Sequence, residues 1–470
     1  MDLLDIQNGE TKTLEFKKEL PSDSSKWIKT IVAFANGAGG KLVIGVSNRR
    51  EIVGVLPDVD IFALRDKVSD TIAQMCEPQV MFDIYQESFG DKFVVVVEVF
   101  PGNNTPYFIK SLGKENGTFV RLNATTRNAD SATLDELELR KKRKSYDELP
   151  MFELDVNDDD INYLCDDFSK KAQIQISKEH LFNFRLLQKH ENIVVATRAY
   201  AIFLGKHDYL SRIRCARFKG TDRVHFIDKK DFDGPLLGQI EGAYKFVLGH
   251  INMAVNIKGI VHDEVYELPT AALRELIINA AIHRNYAKSE SVQVAVYDDR
   301  VEVSSPGGMF GSLTLDEALL GRSSIRNRII ASVCEKLRVV EGWGSGLKRV
   351  FGLCAKSGVR APVFEEVGDM LRVNFYRPSF GGGENLAQDE LKNGFINDLT
   401  NETTNLNAPT NDPKNLFDLI KQRPNGSYED FAKILHVSTA TIKRKIAELK
   451  SSGKIVRVGA NKNGRWAVVA

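Results

Sequence analysis

Glu275 and Asn279 stand four residues apart in Leu273-Arg274-Glu275-Leu276-Ile277-Ile278-Asn279-Ala280-Ala281-Ile282-His283-Arg284. On a helix, positions i and i+4 share one face. Both oxygen-bearing side chains can therefore point into one pocket while Leu273, Ile277 and Ala280 pack behind them. Two glycine segments follow: Ser305-Pro306-Gly307-Gly308 after a strand over 300–304, and Gly342-Trp343-Gly344-Ser345-Gly346 ahead of a helix over 347–357. The first amides of a helix are unpaired donors that favour anions, so the second segment suits phosphate. A lone glycine loop is weak evidence; three ordered segments between Glu275 and Gly346 are much stronger. Further candidates lie at the two ends. Glu10 and Glu15 offer carboxylates, and residues 421–470 hold 11 Lys and Arg against 3 Asp and Glu.

The rest of the chain must position these groups. With 470 residues, 64 Lys and Arg against 63 Asp and Glu, and 43% hydrophobic residues, it has the composition of a multi-domain globular protein. The even charge balance excludes a uniformly basic, histone-like protein but leaves room for one basic domain. No apolar run is long enough for a membrane span, the first residues lack the parts of a signal peptide, and the five scattered cysteines form no CxxC pair. The expectation is a cytoplasmic chain with reduced thiols and no membrane partner. Residues 1–135 alternate helix (27–36, 61–76) with strand (41–46, 93–100, 117–122), the pattern of an α/β domain. A helix over 133–148 carries the basic run Arg140–Lys144, read as a solvated face. Residues 136–265 form a connecting helix and an intermediate α/β region, with strands over 199–204 and 212–218 and a helix over 236–252. A third domain spans 266–380, and 381–415, rich in Asn and Thr after Gly381-Gly382-Gly383, reads as a flexible linker. Residues 416–470 recover periodicity as three helices and two strands, with Ser427 and Asp430 at capping-box spacing.

These motifs carry three resemblances. The Glu275-x3-Asn279 helix with its glycine segments resembles the N-box and glycine boxes of the GHKL ATPases. That resemblance implies an α/β sandwich binding ATP and Mg²⁺, with the Asn279 oxygen on the metal, Glu275 orienting an attacking water, and His283, Gly307, Gly308, Gly342, Gly344 and Gly346 around the nucleotide. A hard cation wants such oxygen ligands. The first glycine box of the family usually carries an Asp for the adenine amino group; here Ser305-Pro306 stands in its place. His283-Arg284 and the Pro-Gly-Gly form are similar to the HATPase-like domain of bacterial transcriptional regulators. Ala33-Phe34-Ala35-Asn36, the Gly39-Gly40-strand-Gly45-Val46 pattern and Phe119-Val120-Arg121 resemble the Schlafen AlbA-like domain, a nucleic-acid-binding module with RNA among its implied partners. In its nucleolytic relatives two Glu and one Asp gather a divalent ion; Glu10 and Glu15 match the two Glu, whereas Ser47-Asn48 falls where the Asp would be. The other reading pairs Glu15 with Lys17 or a nearby Arg. Residues 416–470 resemble a winged helix, in which Thr439, Thr441, Lys443, Arg444 and Lys445 face the major groove and Lys462 and Arg465 sit on the wing. Together these imply an ATP-responsive, DNA-binding transcriptional regulator, expected as a homodimer on double-stranded DNA, with at most weak ATPase activity. A Schlafen-like metal-dependent nuclease and a non-catalytic scaffold with a degenerate ATPase fold are the alternatives.

Overall fold

The computed structural model describes residues 3–55, 60–207, 211–258, 261–341 and 346–378. In the C-terminal part it describes residues 420, 427, 428, 430, 431, 442, 443, 446, 450, 455–458 and 465–468. The chain divides into two compact units, Met1–Leu399 and Thr400–Ala470.

The larger unit begins with a four-stranded sheet in the order Leu14–Lys17, Gly40–Ile44, Lys92–Val99, Phe82–Phe89. Its first pair is parallel and the others antiparallel. Successive strand residues point to opposite faces. Accordingly Val95 and Val97 pack under the helix Ser25–Asn36 with Trp27, Ile31 and Phe34, while Val94 and Val96 join Ile6, Leu14 and Phe16 on the other face. A sheet covered on both faces explains the unbroken valine run. Asn36 ends that helix buried: its Nδ2 donates to the carbonyls of Tyr107 (2.8 Å) and Phe119 (3.0 Å), and its Oδ1 accepts from Tyr107 N (2.7 Å). The Asn36 side chain thus supplies the bonds that stitch two loop segments to the helix end.

A six-stranded sheet follows, in the order His225–Phe232, Ile213–Lys219, Val292–Val296, Arg300–Pro306, Met370–Tyr376, Val363–Val367. Ile213–Lys219 runs parallel to Val292–Val296, and every other pair is antiparallel. Helices Leu236–Leu248, Thr270–Ile282, Arg328–Lys336 and Gly346–Ser357 share one large core with this sheet, giving the helix-on-sheet sandwich. Two of its strands and one of its helices come from residues 136–265.

Two elements differ from expectation. Arg198–Leu204 is a helix, not a strand. The Thr197 side chain accepts from Tyr200 N, and Gly205 closes the helix in the left-handed region at φ 75°. The six-residue apolar run Ala199–Leu204 has no visible period, so its caps decide. The helix expected over 133–148 stops at Lys141. Arg143 turns to φ 54°, and Arg140 leaves the expected solvated run to donate to the carbonyl of Asn36 (2.8 Å).

In the smaller unit, Ser427 and Asp430 form the expected reciprocal cap: Asp430 N donates to Ser427 Oγ (3.1 Å) and Ser427 N to Asp430 Oδ2 (3.0 Å). Ile442 and Ile446, one turn apart, are buried with Phe431 and Trp466. Ile455–Val458 pairs antiparallel with Arg465–Val468, so Arg465 opens the second strand of this hairpin.

Candidate functional site

The helix Thr270–Ile282 is buried along nearly its whole length, and it presents Glu275 and Asn279 one turn apart. Both line a cavity of about 250 Å³ between this helix and the strand Arg300–Pro306. That volume lies near the lower end, roughly 300 Å³, of small-molecule sites. Leu276, Val303, Leu313, Ile325, Val340 and Val373 give it an apolar body. Its polar end is built on Glu275, only 4% exposed. Glu275 Oε1 accepts from Asn279 Nδ2 at 3.3 Å, and Oε2 pairs with Arg349 at 2.5 Å. Arg349 also reaches Glu341 at 2.5 Å. Gly346 lies against the same carboxylate; a Cβ there would fall inside contact distance of Glu275 Oε1. A glycine at this position is therefore a packing requirement.

His283 caps the helix and lines the cavity. Burial, with the Arg326 guanidinium nearby, lowers it to about 4, so the imidazole is neutral at ordinary pH. Ser305 and Pro306 are the last residues of their strand, and the Ser305 hydroxyl donates to the Ala280 carbonyl at 2.7 Å. Gly307, at φ 88°, and Gly308 then turn the chain along the cavity. Arg326, 6% exposed, fixes this turn by donating to the carbonyls of His283 (2.7 Å) and Gly308 (2.9 Å). It also pairs with Glu136 of the helix Ser131–Lys141 (3.2 Å) and lies over the Phe310 ring. Glu366 holds Met309 N at 2.7 Å and Lys12 at 2.8 Å.

Asn279 spends its amide nitrogen on Glu275, which leaves its carbonyl oxygen for a cation. Mg²⁺ takes few protein ligands and completes its shell with water and phosphate oxygens, so one amide oxygen is an adequate protein contribution. The apolar body suits a flat base. The residues present therefore fit a Mg²⁺–nucleotide pair, with no carboxylate at Ser305-Pro306 to select adenine. Among the described residues no group of three or more His, Cys, Asp or Glu could hold a metal by itself.

Gly342 and Gly344 lie outside the described residues, as do Thr439, Thr441, Arg444, Lys445 and Lys462. Lys443 stands over the Tyr428 ring at 5.9 Å. At the N-terminus, Glu10 accepts from Phe16 N (2.9 Å), and Glu15 pairs with Arg121 (2.6 Å) and Lys17 (2.5 Å). Glu15 is thus bound into an ion-pair network, the structural one of its two expected readings. Asp60 caps the helix Ile61–Met75. Sequence reasoning missed Arg349 and Arg326. Arg349 carried a signal, one turn beyond the glycine segment; Arg326 carried none, because its partners come from distant parts of the chain.

Residues 10–130 match the Schlafen AlbA_2 family, 289–375 match the family described as putative ATP-dependent DNA helicase recG C-terminal, and 415–464 match the HTH domain family. The chain carries these three domains. The RecG-type match covers the Pro306–Gly308 turn and Gly346 but begins after the helix of Glu275 and Asn279. No curated protein matches the chain. Among solved structures, the DIP2311 protein from Corynebacterium diphtheriae aligns at 18% identity over 97% of this chain and 92% of its own, with a TM-score of 0.43. The N-terminal domain of a putative ATP-dependent DNA helicase RecG-related protein from Nitrosomonas europaea aligns at 25% identity over 27% of this chain and 92% of its own, with a TM-score of 0.21. The architecture combines an AlbA_2 domain, an HATPase-like domain and an HTH domain, the last suggesting DNA binding. No helix among the described residues is long and apolar enough to cross a membrane.

Proposed function

We propose that this protein is an ATP-responsive, DNA-binding transcriptional regulator of the cytoplasm. The observation that carries this reading is the Glu275–Asn279 pair at the polar end of an apolar cavity walled by the Pro306–Gly308 turn. Asn279 would hold Mg²⁺ and the cavity would take the base; the metal, when bound, neutralises phosphate charge. Glu275, His283 and the glycines position the ligand, and the excess of basic residues over 421–470 supplies the contacts to duplex DNA. A homodimer fits this role, since two-fold pairs of such domains read palindromic sites.

The test is the affinity of the full chain for duplex DNA with and without Mg²⁺–ATP. An allosteric coupling of about 1–3 kcal/mol changes that affinity by roughly 5- to 150-fold. Equal affinities under both conditions would remove ATP from the regulator's function and favour a scaffold.

A further inference from the structure

Arg349 stands in the first turn of the helix Gly346–Ser357, three residues after Gly346. Its guanidinium joins two carboxylates of very different surroundings. The Glu275 side chain is 5% exposed and already accepts from Asn279 through its other oxygen. The Glu341 side chain is 68% exposed. An ion pair with so exposed a partner is weak, so Glu341 is readily displaced. The buried pair with Glu275 is not, because removing its partner would leave a carboxylate uncompensated in a poorly solvated place.

The local charge makes this asymmetry matter. Glu275 and Glu341 line the cavity with Asn279, and Arg349, paired with both, stands behind them as one positive charge against two negative ones. A terminal phosphate arriving there, even with Mg²⁺ on its neighbours, faces these carboxylates unless the guanidinium turns to it. The planar guanidinium binds carboxylate and phosphate oxygens through the same forked geometry, so it can trade one for the other without moving its stem.

We propose that Arg349 sets a preference of this cavity for a nucleoside triphosphate over a diphosphate: one guanidinium nitrogen keeps Glu275 while the other exchanges Glu341 for the terminal phosphate. Arg349 is then the group that lets Glu275 stand beside that phosphate. The proposal rests on the reading of the cavity as a nucleotide site.

Calorimetric titration of the full chain with Mg²⁺–ATP and Mg²⁺–ADP tests it, using wild type, Arg349→Lys, Arg349→Ala and Glu275→Gln/Arg349→Ala, each checked for an unchanged circular-dichroism spectrum. Wild type should prefer ATP. Arg349→Ala should weaken ATP by about tenfold or more, equivalent to about 1.4 kcal/mol, while ADP changes by less than about threefold. Arg349→Lys, which keeps the charge but loses the fork, should fall between. Adding Glu275→Gln to Arg349→Ala should recover part of the ATP affinity, because no carboxylate is then left facing the phosphate. Equal losses for ATP and ADP that the double variant does not recover would make Arg349 a merely structural residue and overturn the proposal. A wild type that binds both nucleotides equally would overturn it too, while leaving the nucleotide reading in place. A wild type that binds neither would overturn both, and this would be evident before any substitution is compared.

Discussion

His283 and Asp147 are buried groups whose ionisation opposes the fold in opposite directions. Burial and Arg326 lower His283 to about 4, whereas the unfolded value is near 6.5. Between these values the unfolded chain takes up a proton that the folded chain refuses. The His283 contribution to stability is therefore full above about pH 6.5 and is lost as pH falls through this window. Burial raises Asp147 to about 6 from the ordinary value near 3.8, so the folded chain holds the extra proton there, and stability from this group declines as pH rises from about 4 to 6. His283→Gln deletes only the first effect. Its melting transition should drop less than that of wild type between about pH 6.5 and 4.5; parallel drops would contradict the assignment. Glu275 and Asn279 were legible in the sequence because their spacing is a local, helical property. Arg326 was not, since it gains meaning only beside Glu136, Phe310 and Gly308, brought together by tertiary folding.

Caps and tight contacts do most of the positioning at the scale of elements. The helix Arg328–Lys336, which lends Ala331 and Glu335 to the cavity, starts on Asp147: Asp147 Oδ2 accepts from Ile330 N at 2.8 Å. Loss of a side-chain bond to a helix's first turn costs about 0.5–2 kcal/mol, so Asp147→Ala should lower the unfolding midpoint in urea and loosen that wall of the cavity. An unchanged midpoint would show that the cap is dispensable. Gly346→Ala should displace Glu275, because the new methyl group would meet a carboxylate already held by Arg349 and Asn279. Loss of nucleotide binding with retained fold is the expected outcome; full binding would mean that the first turn of this helix can shift freely. The two central strands of the N-terminal sheet, Gly40–Ile44 and Lys92–Val99, were readable from their apolar runs and flanking glycines, whereas the outer strands Leu14–Lys17 and Phe82–Phe89 were not. The Arg198–Leu204 helix was not, because a short apolar run is ambiguous until its caps are recognised.

Within the larger unit, the AlbA_2 domain and the helix Ser131–Lys141 that follows it are held against the part of the chain that carries the cavity by a few polar contacts. Lys12 pairs with Glu366, and Glu136 with both Arg326 and Asn285. The same Arg326 and Glu366 hold the Gly307–Gly308 turn, so the domain contact and the cavity wall share residues. Glu136→Ala leaves a nearly buried guanidinium short of its counter-charge. With Glu136 itself partly exposed, a cost on the order of 1–3 kcal/mol is expected, below the range for fully buried pairs. Urea unfolding with a changed midpoint and increased proteolysis between the domains would agree; neither change would show that the contact is passive. Deletion of residues 416–470 should abolish salt-sensitive duplex binding, and undiminished binding would move the DNA site elsewhere. The domain order was legible from local motifs, whereas the contribution of residues 136–265 to the six-stranded sheet was not, since it depends on a parallel pairing between strands far apart in sequence. The most direct test of the central claim is calorimetric titration of wild type and Asn279→Ala with Mg²⁺–ATP. Wild type should bind and, at about 100 times the dissociation constant, gain about 2.7 kcal/mol of stability, while Asn279→Ala should lose both. Absence of binding in wild type, or undiminished binding in Asn279→Ala, would contradict the account.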